Sequence, residues 1–254
     1  MSLVKAVKSQ FSFFTIIPAR ADLEDTAKYV VLAPLLVGVT AGLLDWASFL
    51  AFSLVSQYLT LLTFVVVEGY RGFNHLDGLL DFGDAVMVKG GREDKLRALK
   101  DVNTGAGGMG FLAVYLVLFA SSILSLSSAT ALQSLLSAEV LSRALGVSLV
   151  LFGRPMEGSF LGKLFREKAK AKPLIFVYPL LFSSPLQLVS FFLLFSLFKS
   201  YSEKSLGGVN GDVAGASLTL STPVFVILQE VGDRFSLGYS PLWLSLSLLL
   251  STLH

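Results

Sequence analysis

Three carboxylates stand out in an otherwise strongly apolar chain: Asp77, Asp81 and Asp84, within the stretch NHLDGLLDFGD at 74–84. A helix advances about 100° per residue, so their offsets place the three on one face, within an arc of roughly 60°. Like charges on one face repel unless a cation neutralises them, and hard oxygen ligands at this spacing suit Mg²⁺ together with a substrate phosphate. We therefore predict a divalent-metal phosphate site. The alternative is a solvated acidic helix start that interacts with the helix dipole.

The composition indicates an integral membrane protein. Of 254 residues, 54% are hydrophobic and 15% charged, with a mean hydropathy of +0.72, whereas about a quarter of the residues in a soluble domain are charged. A net charge of +2 gives no reason to expect nucleic-acid binding, and the absence of cysteine excludes disulfides and thiol catalysis. The only histidines are His75 and His254, and no zinc or serine-hydrolase motif accompanies them.

The elements that must position the acids are predicted to be membrane helices in one domain covering 1–254. We expect an all-α, polytopic bundle of about six to eight transmembrane helices. The first two spans form a hairpin with a tight connection near Asp45, and the stretch 173–198 forms another that turns at Ser183-Ser184-Pro185. The predicted spans are 30–44, 46–67, 107–126, 132–152, the hairpin within 173–198, 213–228 and 237–250.

Basic residues indicate which side of the membrane each loop faces. The segment 1–28 is predicted to be an interfacial amphipathic stretch, with Lys5, Lys8, Arg20 and Lys28 around a short apolar patch. The loops at 68–103, which include Arg71, and at 153–172 are also rich in Lys and Arg. By the positive-inside rule these segments are cytoplasmic, in a multi-pass protein of the cell membrane. The loops at 68–108 and 199–212 are then active-site loops that face the cytoplasm.

A second polar segment, LGGVNGDVAGA at 206–216, places Asp212 at the entrance of a span. Gly207, Gly208 and Gly211 would let backbone amides approach an anion, and a helix N-terminus would add a favourable dipole for phosphate. The alternative is close helix packing, because Gly211 and Gly215 match the small-xxx-small pattern.

Two further polar segments precede or interrupt spans. KDVNTGAGGMG at 100–110 is a charged entry followed by glycines, and EVLSR at 139–143 lies inside a span. A buried arginine is costly without a partner, so Arg143 either pairs with Glu139 one turn away or reaches a phosphate. All four polar segments are predicted to meet at one face of the membrane.

Together these motifs resemble the cobalamin synthases, or adenosylcobinamide-GDP ribazoletransferases. HLDGLLDFGDA at 75–85 is similar to the family's HLDGLADTADG, and LGGVNGDVAGA to its LGGxTGDxxGA. Lys100-Asp101 with the following glycines is similar to (K/R)DSRxGxxG, and Ser142-Arg143 also matches. Asn103 stands where the family commonly has Arg.

The resemblance implies a Mg²⁺-dependent transferase that joins adenosylcobinamide-GDP to α-ribazole, or its 5′-phosphate, and releases GMP. It implies that Asp77, Asp81 and Asp84 bind the metal, that Asp81 takes part in catalysis, and that Asp212 either ligates or accepts the proton of the attacking hydroxyl. His75, about 160° from the carboxylate face, is expected to be structural. The residues expected to bind substrate are Lys100, Asp101, Arg143, Gly207, Gly208 and Asn210. The expected partners are the corrinoid nucleotide, the ribazole and membrane lipid, and the sequence leaves homo-oligomerisation open.

Two other classes of protein use acids in a similar setting. A CDP-alcohol phosphotransferase would carry the signature DGxxAR, but here Asp77-Gly78 is followed by no arginine at that position. A cation-coupled transporter would place its acids near the midplane, usually within an internal repeat, and neither feature is present.

Overall fold

The computed structural model describes residues 3–18 and 21–251, so Arg20 and His254 lie outside the described residues. This part of the chain is all-α, as predicted, and its only β pairing is an isolated bridge between Pro155 and Val209. The helices are α1 (Leu3–Phe14), α2 (Leu23–Tyr29), α3 (Val39–Ser53), α4 (Thr63–Arg71), α5 (Asn74–Met87), α6 (Arg92–Ala98), α7 (Ala106–Ser125), α8 (Ala131–Phe152), α9 (Phe160–Lys168), α10 (Val177–Phe182), α11 (Pro185–Tyr201), α12 (Gly211–Arg234) and α13 (Pro241–Ser251). Short 3₁₀ or π segments lie at Val30–Leu32, Pro34–Gly38, Gln57–Leu62, Lys172–Phe176 and Ser202–Leu206.

Four of the described helices are long and apolar enough to cross a bilayer: Pro34–Ser53, Ala106–Ser125, Ala131–Phe152 and Gly211–Arg234. The last three agree with the predicted spans at 107–126, 132–152 and 213–228. The predicted connection near Asp45 is wrong, because one continuous helix passes through that residue and the chain turns after Ser53. Asp45 looked like a turn residue, but it is buried inside the bundle.

Hydrogen bonds between distant parts of the chain define one end of the bundle, the distal end. Gln57 Nε2 donates to the carbonyl of Leu124 at 3.4 Å, and Thr130 Oγ1 donates to Glu230 Oε2 at 3.2 Å. The turns that follow α3 and α7, and the C-terminus of α12, therefore lie together. The opposite end, here called the acidic end, carries Asp77, Asp81, Asp84 and Asp212.

Four long helices and three shorter helical segments form the bundle in the described part of the chain, so the predicted six to eight crossings would have to include the shorter segments. The first two segments, 34–53 and 57–73, are antiparallel. The hydroxyls of Thr40 and Tyr70 form a hydrogen bond of 3.1 Å, and Ser48 Oγ donates to Thr63 Oγ1 at 3.5 Å. The segments are 34–53, 57–73, 106–125, 131–152, 172–184, 185–201 and 211–234. α13 is shorter, with 11 residues.

The predicted hairpin at 173–198 is present. α10 ends at Phe182 and α11 begins at Pro185, so the chain breaks at the predicted serines. Near the break, Gln187 Nε2 donates to the carbonyl of Phe225 at 2.9 Å, deep in the bundle. The far end of α11 returns to the acidic end, where Lys199 forms an ion pair with Glu203 at 3.0 Å.

The helix that carries the acids is held between two others by glycines. On one side of α5, a Cβ at Gly78 would lie 2.9 Å from Asp212 Cα on α12. On the other side, a Cβ at Gly107 of α7 would lie 2.8 Å from the carbonyl oxygen of Gly83. Only residues without side chains permit backbones to approach so closely. These contacts fix the position of the carboxylate face relative to both neighbouring helices.

Candidate active site

The predicted carboxylates meet at the acidic end. α5 is helical throughout the motif and buries Leu79 and Phe82, so its acids lie on the less buried face, as predicted. Burial raises the pKa of Asp81 to about 6 from 3.8, with a further upward contribution from the negative charges of Asp212, Asp77 and Asp84. The Asp81 carboxylate is therefore within electrostatic reach of the other three. Within residues 3–18 and 21–251, however, no three His, Asp or Glu side chains already form a metal-binding group.

Asp84 has a structural task that the sequence did not reveal. Its Oδ2 accepts the amide of Gly105 at 2.7 Å, and its Oδ1 accepts the amide of Gly108 at 2.9 Å. These amides belong to the first turn of α7, which has no side-chain cap of its own. A carboxylate at this position satisfies orphan amides and interacts favourably with the helix dipole. Asp84 therefore fastens α7 to the acidic helix, and both its oxygens already accept hydrogen bonds.

Asp212 lies in the first turn of α12 and is positioned by its neighbour Asn210. The Asn210 Oδ1 caps the helix by accepting the amide of Val213 at 3.1 Å, while its Nδ2 donates to Asp212 Oδ2 at 2.6 Å. Asn210 thus orients the carboxylate as well as capping the helix. The other carboxylate oxygen, Asp212 Oδ1, receives no hydrogen bond from Asn210.

The glycine loop packs tightly against the segment that follows α8. The amides of Gly207 and Gly208 both donate to the carbonyl of Ser202, so in this conformation they are not free to bind an anion. A Cβ at Gly208 would lie 2.5 Å from Met156 N. Gly207 and Gly208 are therefore packed within the fold. Of the two glycines in the packing alternative, a Cβ at Gly215 would lie 3.3 Å from the carbonyl oxygen of His75 on α5, whereas one at Gly211 would meet nothing within 4 Å.

Lys100 and Asp101 lie exposed between α6 and α7. Asp101 Oδ1 accepts both the backbone amide of Asn103 at 2.9 Å and its side-chain amide at 3.0 Å, and these bonds lower the pKa of Asp101. Its hydrogen bonds are therefore local, and a phosphate contact by either residue stays a prediction. Asn103, which departs from the family motif, closes this turn.

Arg143 pairs with Glu139, the first of the two alternatives, but the pair belongs to a larger buried network. Glu139 accepts from the guanidinium groups of both Arg143 and Arg71. Arg71 also donates to Glu68 at 2.9 Å, and Tyr115 donates to the same carboxylate oxygen at 2.7 Å. All five side chains are buried. The network joins α4, α7 and α8 in the middle of the bundle.

Arg71 was expected in a basic cytoplasmic loop, and this prediction is wrong. It ends α4, its side chain is fully buried, and much of the supposed loop 68–108 is formed by α5 and α6. The sequence contains a signal that was missed: Glu68 and Arg71 are one turn apart, close to an apolar run, as buried partners would be.

A cavity of about 300 Å³ opens beside Asp212. It lies between α1, the start of α5, α8, α9 and the start of α12, and it includes both Arg143 and His75. His75 lies two residues before Asp77 on α5, and burial, followed by the charges of Arg71 and Arg143, lowers its pKa to about 3. A neutral His75 fits the expected structural role. The fold nevertheless brings it to the same cavity as Asp212, which helical angles alone did not indicate.

The fold and this site define a class: an all-α, multi-pass membrane protein with a cluster of carboxylates at one end of the bundle and a cavity beside them. A sequence model described as Cobalamin-5-phosphate synthase matches residues 6–229. The chain belongs to this family, as the motifs at 75–85 and 206–216 indicated. Membership favours a transferase over the CDP-alcohol phosphotransferase and the transporter.

Curated relatives agree over most of the chain. A protein of Saccharolobus islandicus (strain M.14.25 / Kamchatka #1) is 41% identical over 241 residues, covering 93% of this chain and 94% of its own. One from Saccharolobus solfataricus is 40% identical over 255 residues, covering 99% of both. One from Archaeoglobus fulgidus is 33% identical over 227 residues, covering 86% of this chain and 94% of its own. All three are named adenosylcobinamide-GDP ribazoletransferase. No solved structure matches the chain.

Proposed function

We infer that this protein transfers the cobinamide phosphate group of adenosylcobinamide-GDP to a hydroxyl of α-ribazole, or of its 5′-phosphate, and releases GMP. The observation that carries the proposal is the meeting of Asp212 with the acidic face of α5, where Gly78 packs against the Asp212 backbone. Phosphoryl transfer between these substrates demands neutralisation of a diphosphate and a group to receive a proton. The acidic end offers groups suited to both tasks.

The donor set fits Mg²⁺. Asp77 and Asp81 supply hard oxygen ligands on one helical face. The raised pKa of Asp81 reflects burial first and then repulsion by the neighbouring carboxylates, which a cation would relieve. Asp84 would bind the metal through carboxylate oxygens that already accept hydrogen bonds from two backbone amides. When bound, Mg²⁺ would neutralise diphosphate charge and stabilise the leaving group. Since no three acids are assembled in advance, a ligand set completed by water and substrate phosphate is the arrangement we propose.

Asp212 is proposed to receive the proton of the attacking hydroxyl. The new bond joins the ribazole oxygen to the phosphorus that carries cobinamide, the bond from that phosphorus to the bridging oxygen breaks, and GMP leaves with that oxygen. The Asn210 side chain holds one oxygen of Asp212, so the other can be directed at the hydroxyl. Positioning of this kind is the main contribution that a protein makes to phosphoryl transfer.

The acidic end is proposed to face the cytoplasm of a cell-membrane protein. Exposed basic side chains belong to this end, where α9 and the segment after it carry Lys163, Lys168 and Lys170. By the positive-inside rule such loops stay on the cytoplasmic side. Both substrates would then reach the site without crossing the membrane.

Release of GMP from adenosylcobinamide-GDP in the presence of α-ribazole tests the proposal on the full chain in lipid nanodiscs. Asp81→Ala and Asp212→Asn should each lower kcat by about a hundredfold or more, the scale of losing a positioned proton acceptor or charge-stabilising group. The matched control is Glu157→Ala, an exposed acid in the segment that follows α8, which should retain activity. Turnover that survives Asp81→Ala would contradict the metal-site assignment.

A further inference from the structure

The cavity beside Asp212 is built mainly of apolar side chains yet contains two unpartnered polar groups. Phe13 and Phe14 of α1, Phe165 of α9 and Val147 of α8 form much of its wall. Phe13 and Phe165 already contact one another, with ring centroids 5.2 Å apart. At about 300 Å³, this cavity with aromatic walls lies at the lower end of the size range of small-molecule pockets. It is much too small for a corrinoid ring.

The unpartnered groups are Arg143 and His75. Arg143 is 1% exposed, and while its Nη1 pairs with Glu139, its Nε and Nη2 have no hydrogen-bond partner in the described structure. The Nε2 of His75 is also buried without a partner. Buried polar atoms are rarely left unpaired, because each unmade hydrogen bond costs about 1–3 kcal/mol. A ligand with an acceptor that reaches Arg143 would satisfy this site, whereas a lipid acyl chain would not.

The cavity has an exposed end and a buried end. Asn74 and Gly211 are exposed, and Asp212 beside them is partly exposed, whereas Arg143 lies at the buried side. A guest would therefore place one part among the aromatic side chains and another next to Asp212. This arrangement suits a nucleoside whose base is an apolar two-ring system and whose sugar stays near the carboxylate.

We propose that this cavity binds the benzimidazole-type base of the ribazole, with Arg143 donating to the ring nitrogen and the ribose hydroxyl held at Asp212. The proposal rests on the function inferred above and names the subsite of that same site. A glycosylated benzimidazole has one ring nitrogen that can accept a hydrogen bond and no donor, which matches an apolar wall with an arginine donor. Guanine carries several donors and acceptors that an apolar wall would leave unpaired.

The proposal assigns Arg143 to the base and not to a phosphate. Arg143→Lys keeps the charge beside Glu139 but removes the Nε and Nη2 donors. A hydrogen bond from a charged donor is worth about 1.5–3 kcal/mol, so the KM for unphosphorylated α-ribazole should rise by roughly tenfold to a hundredfold. The KM for adenosylcobinamide-GDP should stay within about twofold. An increase confined to the KM for adenosylcobinamide-GDP would place Arg143 on a phosphate and overturn the assignment.

Filling the cavity gives an independent test. Val150 is half-buried and lines the cavity, so Val150→Phe should weaken α-ribazole binding by about tenfold or more, measured by calorimetry on the full chain in nanodiscs without the corrinoid. The matched control, Val117→Phe, lies on the exposed side of α7 and should bind as the parent does. Unchanged affinity in a folded Val150→Phe protein, as judged by its thermal midpoint, would overturn the subsite.

The two proposals fail in different ways. If the parent protein releases no GMP from adenosylcobinamide-GDP and α-ribazole, the proposed function fails. If the parent is active but Val150→Phe and Arg143→Lys both leave the ribazole constants unchanged, only the subsite fails. A lipid recovered from the cavity of the active protein that α-ribazole does not displace would also contradict the subsite.

Discussion

Replacing Gly78 with alanine should separate the acidic helix from Asp212. A Cβ at this position would lie 2.9 Å from Asp212 Cα and 3.0 Å from Asp212 O, both backbone atoms that cannot rotate away. Ordinary contact begins at 3.4 Å, so α5 and α12 must move apart by about 0.5 Å at their crossing. Since α12 carries Asp212 and α5 carries the other acids, the separation acts directly on the site.

Two opposing effects set the magnitude for stability. Alanine is favoured over glycine inside a helix by about 1 kcal/mol, while overpacking a tight contact costs typically 1–3 kcal/mol. Gly78→Ala should therefore be neutral to about 2 kcal/mol destabilising. Gly110 on α7 is the matched control, because a Cβ there meets nothing within 4 Å. Gly110→Ala should stabilise by about 1 kcal/mol, so the free energy of unfolding of Gly78→Ala should lie about 1–3 kcal/mol below that of Gly110→Ala.

The effect on turnover should be of the same order as that on stability, since a tenfold change in rate corresponds to about 1.4 kcal/mol. A displacement of 1 Å costs on the order of a hundredfold in rate, so about half that distance should lower kcat by roughly tenfold. The assay is GMP release at saturating substrates, with the thermal midpoint of each variant measured in the same nanodiscs. If Gly78→Ala matches Gly110→Ala in both turnover and thermal midpoint, the close crossing does not set the geometry of the site, and the reasoning fails.

Three other perturbations test separate parts of the structure. Asp84→Ala should lower the free energy of unfolding by about 1–2 kcal/mol, because the first turn of α7 loses its cap, and thermal unfolding checks this. The pKa of Asp81 is raised from 3.8 to about 6, so without metal the Asp81 carboxyl holds its proton more tightly in the native state than in the unfolded chain. The free energy of unfolding should therefore fall as the pH rises from 3.8 to about 6. Stabilisation by added Mg²⁺ should grow over the same interval and be lost in Asp81→Asn; a pH-independent Mg²⁺ effect would contradict the assignment. Glu139→Gln should lower the free energy of unfolding by about 3–5 kcal/mol, because two buried guanidinium groups lose their shared carboxylate. The exposed ion pair of Arg97 with Asp94 should contribute less than about 1 kcal/mol, so thermal unfolding of Arg97→Ala should show only that small loss.

The long apolar runs could be placed from sequence because they depend on composition over some 20 residues. The spans at 106–125 and 131–152 begin and end within one residue of the predicted limits. The acidic helix and the break before Pro185 also follow from local rules of periodicity and proline geometry. Asp45 misled the prediction because a lone acid in an apolar run resembles a turn, and only the folded bundle shows that its side chain is buried.

The sequence by itself determined that Asp77 and Asp81 share a helical face, whatever packs around them. Tertiary structure decided what each side chain is free to do. Asp84 caps α7, the amides of Gly207 and Gly208 are used within their own loop, and Arg143 divides its donors between Glu139 and an open cavity. The physical reason is that donors and acceptors pair with groups that are close in space, and these groups belong to helices far apart along the chain. A pattern read along one helix cannot show which groups remain unpaired.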